Sequence, residues 1–106
     1  MALSWPFPNV RREPFSDAEL IAIFDGAPSG FELVFQIYGS GFELQPWYAE
    51  RLRFAYRTNR PIPLGRRLAW ISEWSLQPTG ARGVNLLFTP RWLSEAEARA
   101  LSWRRY

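Results

Sequence analysis

The side chains that could carry out chemistry in this chain are carboxylates, hydroxyls and guanidinium groups. The 106-residue sequence contains no cysteine and no histidine, and its 13 basic residues are all arginine. A thiol nucleophile, a zinc finger and a serine hydrolase with a histidine base are therefore excluded. Carboxylates alone could still bind Mg²⁺ or Ca²⁺, or act as an acid and base pair.

Four of the acidic residues occur in pairs, each directly after a serine: Ser16-Asp17-Ala18-Glu19 and Ser94-Glu95-Ala96-Glu97. Carboxylates two positions apart on a helix point in different directions, which does not suit paired catalysis. A serine followed three residues later by glutamate is instead the capping-box pattern of a helix start. We therefore predict two helix N-termini, and we expect no enzyme activity, no catalytic residue, no metal ligand and no cofactor.

Clustered arginines are the most distinctive feature of the sequence. Six of them lie within 17 consecutive residues: Arg51, Arg53, Arg57, Arg60, Arg66 and Arg67. If residues 50–58 form a strand, the first three share its outward face. Pairing of that strand with residues 67–76 would then gather all six into one patch, with Tyr38 beside it. The plain alternative is a solvated sheet face that is loosely paired with glutamates.

Arginine next to aromatic rings is typical of the energetically dominant residues in protein interfaces. We therefore expect a small non-enzymatic interaction protein that binds an acidic surface of a protein partner through this Arg/aromatic face. Accessory and inhibitory factors of phages and mobile elements are often of this kind. The alternative is a nucleic-acid-binding module that uses the same arginines for phosphate contacts and the rings for base stacking. The net charge of +3 is modest and does not require nucleic acid.

Hydrophobic periodicity predicts the elements that must position these side chains. We predict helices at 17–25 and 95–104, strands at 31–38, 67–76 and 84–89, and a return strand that begins at 42–45. Pro90 should stop the last strand, and residues 59–65 should form a proline-rich loop. Trp70 and Trp74 should share the core face of their strand.

Residues 46–58 are ambiguous between a strand and a helix. In a strand, Leu52, Phe54 and Tyr56 would face the core, whereas a helix that begins at Pro46 would bury Leu52 and Ala55 and leave Phe54 among the arginines. We favour the strand over 50–58, because the alternation is regular.

The predicted fold class is α+β: a single domain with an antiparallel four- or five-stranded meander sheet flanked by an N-terminal and a C-terminal helix. Residues 15–106 form this domain, and residues 1–14 form an extended Pro-rich arm, either packed through Trp5 and Phe7 or free. With 47% hydrophobic residues the chain should be globular. We find no apolar run that could span a bilayer and no signal peptide, so we expect no membrane partner and a cytoplasmic protein. A homodimer stays open, because a sheet edge could pair across a two-fold axis.

Overall fold

A computed structural model describes residues 13–39, 42–80 and 82–104, with side chains described as far as Leu101. Within these ranges the elements are α1 (Asp17–Gly26), β1 (Leu33–Tyr38), α2 (Pro46–Thr58), β2 (Ile62–Leu64), β3 (Arg67–Pro78), β4 (Val84–Trp92) and α3 (Glu95–Arg104). The predicted α+β class is confirmed. Most of the predicted arm, including Trp5 and Phe7, lies outside the described residues.

The four strands form one antiparallel sheet in the order β1-β4-β3-β2. β2, β3 and β4 follow one another as a meander, and β1 pairs with the free side of β4. β1 and β2 therefore lie at opposite edges of the sheet. None of the helices in the described part of the chain is long and apolar enough to cross a bilayer.

α1 and α2 supply the helical side of the hydrophobic core. Leu20 and Phe24 of α1 are buried, as are Ala49, Leu52 and Ala55 of α2. They pack with buried strand residues of all four strands. The small alanines allow α2 to approach the sheet closely.

Phe35 of β1 lies at the centre of an aromatic cluster in this core. Its ring centroid is 6.2 Å from those of Phe15 and Phe24 and 6.0 Å from that of Phe88. The cluster joins β1, β4 and α1, so that the N-terminal helix is held by ring contacts.

Both predicted capping boxes are confirmed. The Ser16 hydroxyl accepts from the Glu19 N–H, and the Glu19 carboxylate accepts from the Ser16 N–H at 2.8 Å. At α3, Ser94 and Glu97 make the same pair of hydrogen bonds. Glu19 and Glu97 therefore satisfy free N–H groups at two helix starts. Asp17 and Glu95 lie in the first turns, where acidic residues suit the helix dipole.

The predicted strand over 50–58 is wrong, because these residues belong to α2. The helix begins at Pro46, whose missing N–H costs nothing in the first turn. Leu52 and Ala55 face the core, and Phe54 is 63% exposed. The pairing of residues 50–58 with 67–76 is therefore also wrong: β3 pairs with β2 and β4.

A β-bulge overturns the prediction that Trp70 and Trp74 share a face. The register of β3 against β4 shifts between Ile71 and Glu73, with Ser72 as the extra residue. Ala69 and Ile71 are buried before the shift, whereas Trp74 packs against the core after it. Trp70 consequently faces the other side of the sheet, where it borders a small cavity with α3.

Three predicted boundaries also change. Residues 42–45 do not form a strand, and the predicted loop over 59–65 contains β2. β4 continues through Pro90 to Trp92. It can do so because β1 begins at Leu33, opposite Phe88, so that no β1 residue needs an N–H from Pro90. On that side the Pro90 carbonyl accepts from the Gly30 N–H at 2.8 Å.

Candidate binding groove

The end of α2 reverses the chain and creates a groove beside the helix. Asn59 adopts the left-handed conformation with φ of 53°, and the Arg60 N–H donates to the Ala55 carbonyl at 3.1 Å. Asparagine tolerates this conformation well, and proline shortly after it prevents continuation of the helix. Residues 60–63 therefore run back along the side of α2.

We call the resulting depression the α2–β2 groove. It is open to solvent, has a volume of about 390 Å³, and is lined by Glu50, Arg51, Phe54, Ala55, Arg60, Pro61, Ile62 and Pro63. Its surface thus combines an exposed aromatic ring and prolines with two guanidinium groups and one carboxylate. Such a surface can bury an apolar side chain and bind an anionic group at the same time.

Arg51 and Arg60 are the two predicted site residues that the structure brings together in this groove. The Arg51 guanidinium lies 5.7 Å from the ring centroid of Trp47, one turn earlier on α2. In the described part of the chain, neither arginine forms an ion pair. Both charges are therefore available to an anionic ligand.

Arg53 and Arg57 are not among the residues that line the groove. Arg57 follows Arg51 by six positions on the helix, which places the two residues about 120° apart around the axis. Arg53 pairs with Glu50 at 3.6 Å and lies 5.8 Å from the ring centroid of Trp74. The three arginines of α2 do not share the single face that a strand would have given them.

Arg66 and Arg67 are engaged within the fold. The two-residue turn at Gly65 and Arg66 passes close to α1, where a Cβ on Gly65 would lie 3.4 Å from the Phe24 side chain. Arg66 bonds the carboxylate of Asp25, and this hydrogen bond raises the pKa of the guanidinium above its usual range. Arg67 donates to the carbonyls of Phe24, Asp25 and Ala27.

Tyr38 lies at the end of β1, at the sheet edge opposite β2. Three strand spacings, or roughly 14 Å, separate these two edges. The structure therefore does not place Tyr38 beside the groove.

Sequence reasoning missed the groove residues Phe54, Pro61 and Pro63, and also Trp47, which contacts Arg51 beside the groove. The strand prediction places Phe54 in the core. Its position between arginines in the sequence is the signal that could have indicated an exposed ring. Trp47 is exposed and stacks on Tyr48, with ring centroids 4.8 Å apart. Burial raises the pKa of the Tyr48 phenol, while the charge of Arg51 lowers it to a lesser extent.

In the described part of the chain, no group of three or more acidic side chains is placed to hold a metal ion. The chemistry available at the groove is that of recognition: guanidinium hydrogen bonds, ring contacts and apolar burial. No protein-family model, no curated protein and no solved structure matches this chain.

Proposed function

We propose that this chain is a small non-enzymatic binding protein of the cytosol, an accessory or inhibitory factor, and that an acidic segment of a protein partner docks in the α2–β2 groove. The observation that carries the proposal is the 63% exposure of Phe54 in a groove that Arg51 and Arg60 also line. An exposed ring that lies in a groove together with prolines and guanidinium groups is typical of a protein-binding surface.

Phe54 supplies the apolar part of the proposed contact. Complete burial of a fully exposed phenylalanine side chain contributes about 1.5–3 kcal/mol, and Phe54, which is 63% exposed, can gain a part of this. The prolines at 61 and 63 hold the opposite wall in a fixed backbone conformation, so little conformational entropy is lost when a ligand binds.

Arg51 and Arg60 supply the charge selectivity. A guanidinium can donate two parallel hydrogen bonds to one carboxylate, which fixes the position of an acidic side chain. The partner segment should therefore carry two or more carboxylates that flank one large apolar side chain. Glu50 is the single carboxylate among the groove residues, and Arg53 already pairs with it.

A protein partner is favoured over nucleic acid by the distribution of these charges. Arg66 and Arg67 bond to α1, and Arg53 pairs with Glu50. Fewer guanidinium groups are therefore free for phosphate contacts than the sequence cluster suggests. Affinity for nucleic acid depends mainly on the number of such contacts.

The test compares three forms of the immobilised protein for capture of proteins from a lysate of the source organism. The first is wild type, and the second combines Arg51→Glu, Phe54→Ser and Arg60→Glu. The third combines Arg91→Glu and Arg99→Glu, which reverses the same amount of charge at exposed positions outside the groove. Each lysate is divided, and one half is treated with nuclease. Thermal melts establish that all three forms are folded.

The proposal expects a protein that wild type and the Arg91/Arg99 control capture, with or without nuclease, and that the groove variant loses. Equal capture by the groove variant would show that the groove is not the binding site. Capture that disappears after nuclease treatment would replace the protein partner with nucleic acid.

A further inference from the structure

The two edges of the sheet differ in whether other parts of the chain form hydrogen bonds with their outward backbone groups. At the β1 edge, the Gln36 N–H donates to Glu43 Oε1 at 2.8 Å, and the Gln36 carbonyl accepts from the Glu43 N–H at 2.7 Å. At the other edge, β2 pairs with β3 only as far as Ala69. The side of β3 that faces away from β4 has no paired strand beyond this point in the described part of the chain.

The direction of the β3 backbone groups follows from the hydrogen-bond pattern. The Thr79 N–H donates to the Gly83 carbonyl at 2.9 Å, one position beyond the last register pair, Pro78 and Val84. Because antiparallel pairs alternate, the odd-numbered residues 73–77 bond to β4, and the peptide groups of Trp74 and Leu76 point outward. The same alternation, carried across β4, directs the peptide groups of Gln36 outward, where Glu43 meets them.

Two features limit the free edge to residues 73–77. The bulge at Ser72 ends regular pairing on one side. Pro78 stands at the next outward position on the other side and has no N–H to donate. Four outward backbone groups remain: the N–H and the carbonyl of both Trp74 and Leu76. No hydrogen bond to these four groups is formed within the described residues.

We propose that a second copy of this chain pairs antiparallel along this edge, with a two-fold axis at Ser75. Trp74 of each copy then lies opposite Leu76 of the other, and all four outward groups of each chain form hydrogen bonds. Glu73 lies opposite Gln77, so no like charges meet. Leu76, which is 44% exposed, gains the Trp74 ring of the second copy as a cross-strand neighbour.

The neighbouring registers are less favourable. An axis at Leu76 sets Trp74 opposite Pro78, which lacks a donor. An axis at Trp74 sets Leu76 opposite the bulged Ser72. The self-complementary pattern around Ser75 is thus the register that uses every free group.

The absence of native cysteine makes the register testable by disulfide formation. In the proposed dimer the two Ser75 residues form a pair without hydrogen bonds, with Cα atoms about 4.5 Å apart. That separation lies within the range of disulfide bonds. Ser75→Cys should therefore give a covalent dimer under mild oxidation. Val34→Cys is the matched control, because Val34 is 49% exposed at the β1 edge in the same cross-strand row.

The mass in solution gives the second readout, by analytical ultracentrifugation up to millimolar protein. Wild type and Val34→Lys should be dimers, and Ser75→Lys should be a monomer, because two like charges then meet at the axis. Circular dichroism checks that each variant is folded. A monomeric wild type, a dimeric Ser75→Lys, or equal cross-linking of the two cysteine variants would overturn the proposal. None of these results depends on the α2–β2 groove.

Discussion

The guanidinium of Arg67 lies over the ring of Trp92, with Cζ 3.8 Å from the ring centroid. The same guanidinium donates to the carbonyl of Phe24 near the end of α1. Trp92 Nε1 donates to the Ala27 carbonyl, just beyond that helix, at 2.7 Å. One side chain from β3 and one from β4 therefore fasten the C-terminus of α1 to the sheet, and the positive charge also suits the negative end of the helix dipole.

Replacement of Arg67 should destabilise the fold strongly, although the sequence analysis predicts this residue to be part of a surface patch. Arg67→Ala should lower the free energy of unfolding by about 3 kcal/mol, since it removes charged hydrogen bonds and a cation–π contact. Arg67→Lys should recover part of this, because it keeps the charge but not the planar donor group. Urea denaturation measures both. Arg66→Ala is the control and should change little, because its ion pair is exposed. Equal effects at the two positions would contradict this role for Arg67.

The Glu43 carboxylate should protect the β1 edge. Glu43→Ala leaves the half-buried Gln36 N–H without its acceptor, which should cost about 1–2 kcal/mol. Glu43→Gln retains an acceptor oxygen and should cost less. Hydrogen exchange read by NMR should show faster exchange of the Gln36 amide in Glu43→Ala alone. Unchanged exchange at Gln36 would mean that other groups close this edge.

The elements that could be predicted from the sequence are those whose signals are local. Ser16 with Glu19, and Ser94 with Glu97, specify helix starts because every atom involved lies within four residues. The alternation in β1 and the start of β3 likewise reports which side chains face the core.

The sequence allows both a strand and a helix over 46–58, and it does not favour the helix α2 because the helix start lacks a capping signal. Its N-cap residue Gln45 makes no side-chain capping bond, and its first turn contains no acid. The apolar residues Leu52, Phe54 and Tyr56 alternate by chance, and the prediction assumed that all three are buried. This assumption is wrong for Phe54, which is exposed and lines the α2–β2 groove.

The candidate site was predicted only in part for a related reason. Arg51 and Arg60 are close in sequence, and the reversal at Asn59 keeps them close in space. Arg66 and Arg67 are equally close in sequence, but the turn at Gly65 directs them to α1, some 40 residues earlier. Such a long-range contact leaves no local pattern, and neither does the bulge that separates Trp70 from Trp74.

Truncation of two nearby residues of α2 should have very different effects on stability. Leu52→Ala should lower the free energy of unfolding by about 2–5 kcal/mol, because Leu52 is fully buried. Phe54→Ala should change it by no more than about 0.5 kcal/mol, because the ring is exposed and alanine favours a helix. Chemical denaturation of the two variants measures the difference. A large loss for Phe54→Ala would place this ring in the core and remove it from the groove.

Tyr48 should make stability depend on pH in the alkaline range. Burial raises the pKa of its phenol in the folded state, and the Arg51 and Asp17 charges act in opposite directions. Relative to an unfolded value of about 10, the folded state therefore holds the proton more tightly. The resulting stabilisation is fully present below pH 10 or so and is lost as the pH rises through the folded pKa. Tyr48→Phe removes this dependence. Above that pH the free energy of unfolding should therefore fall more steeply for wild type than for the variant. Denaturation midpoints measured across the alkaline range provide the comparison, and curves that stay parallel throughout would exclude Tyr48 as the source.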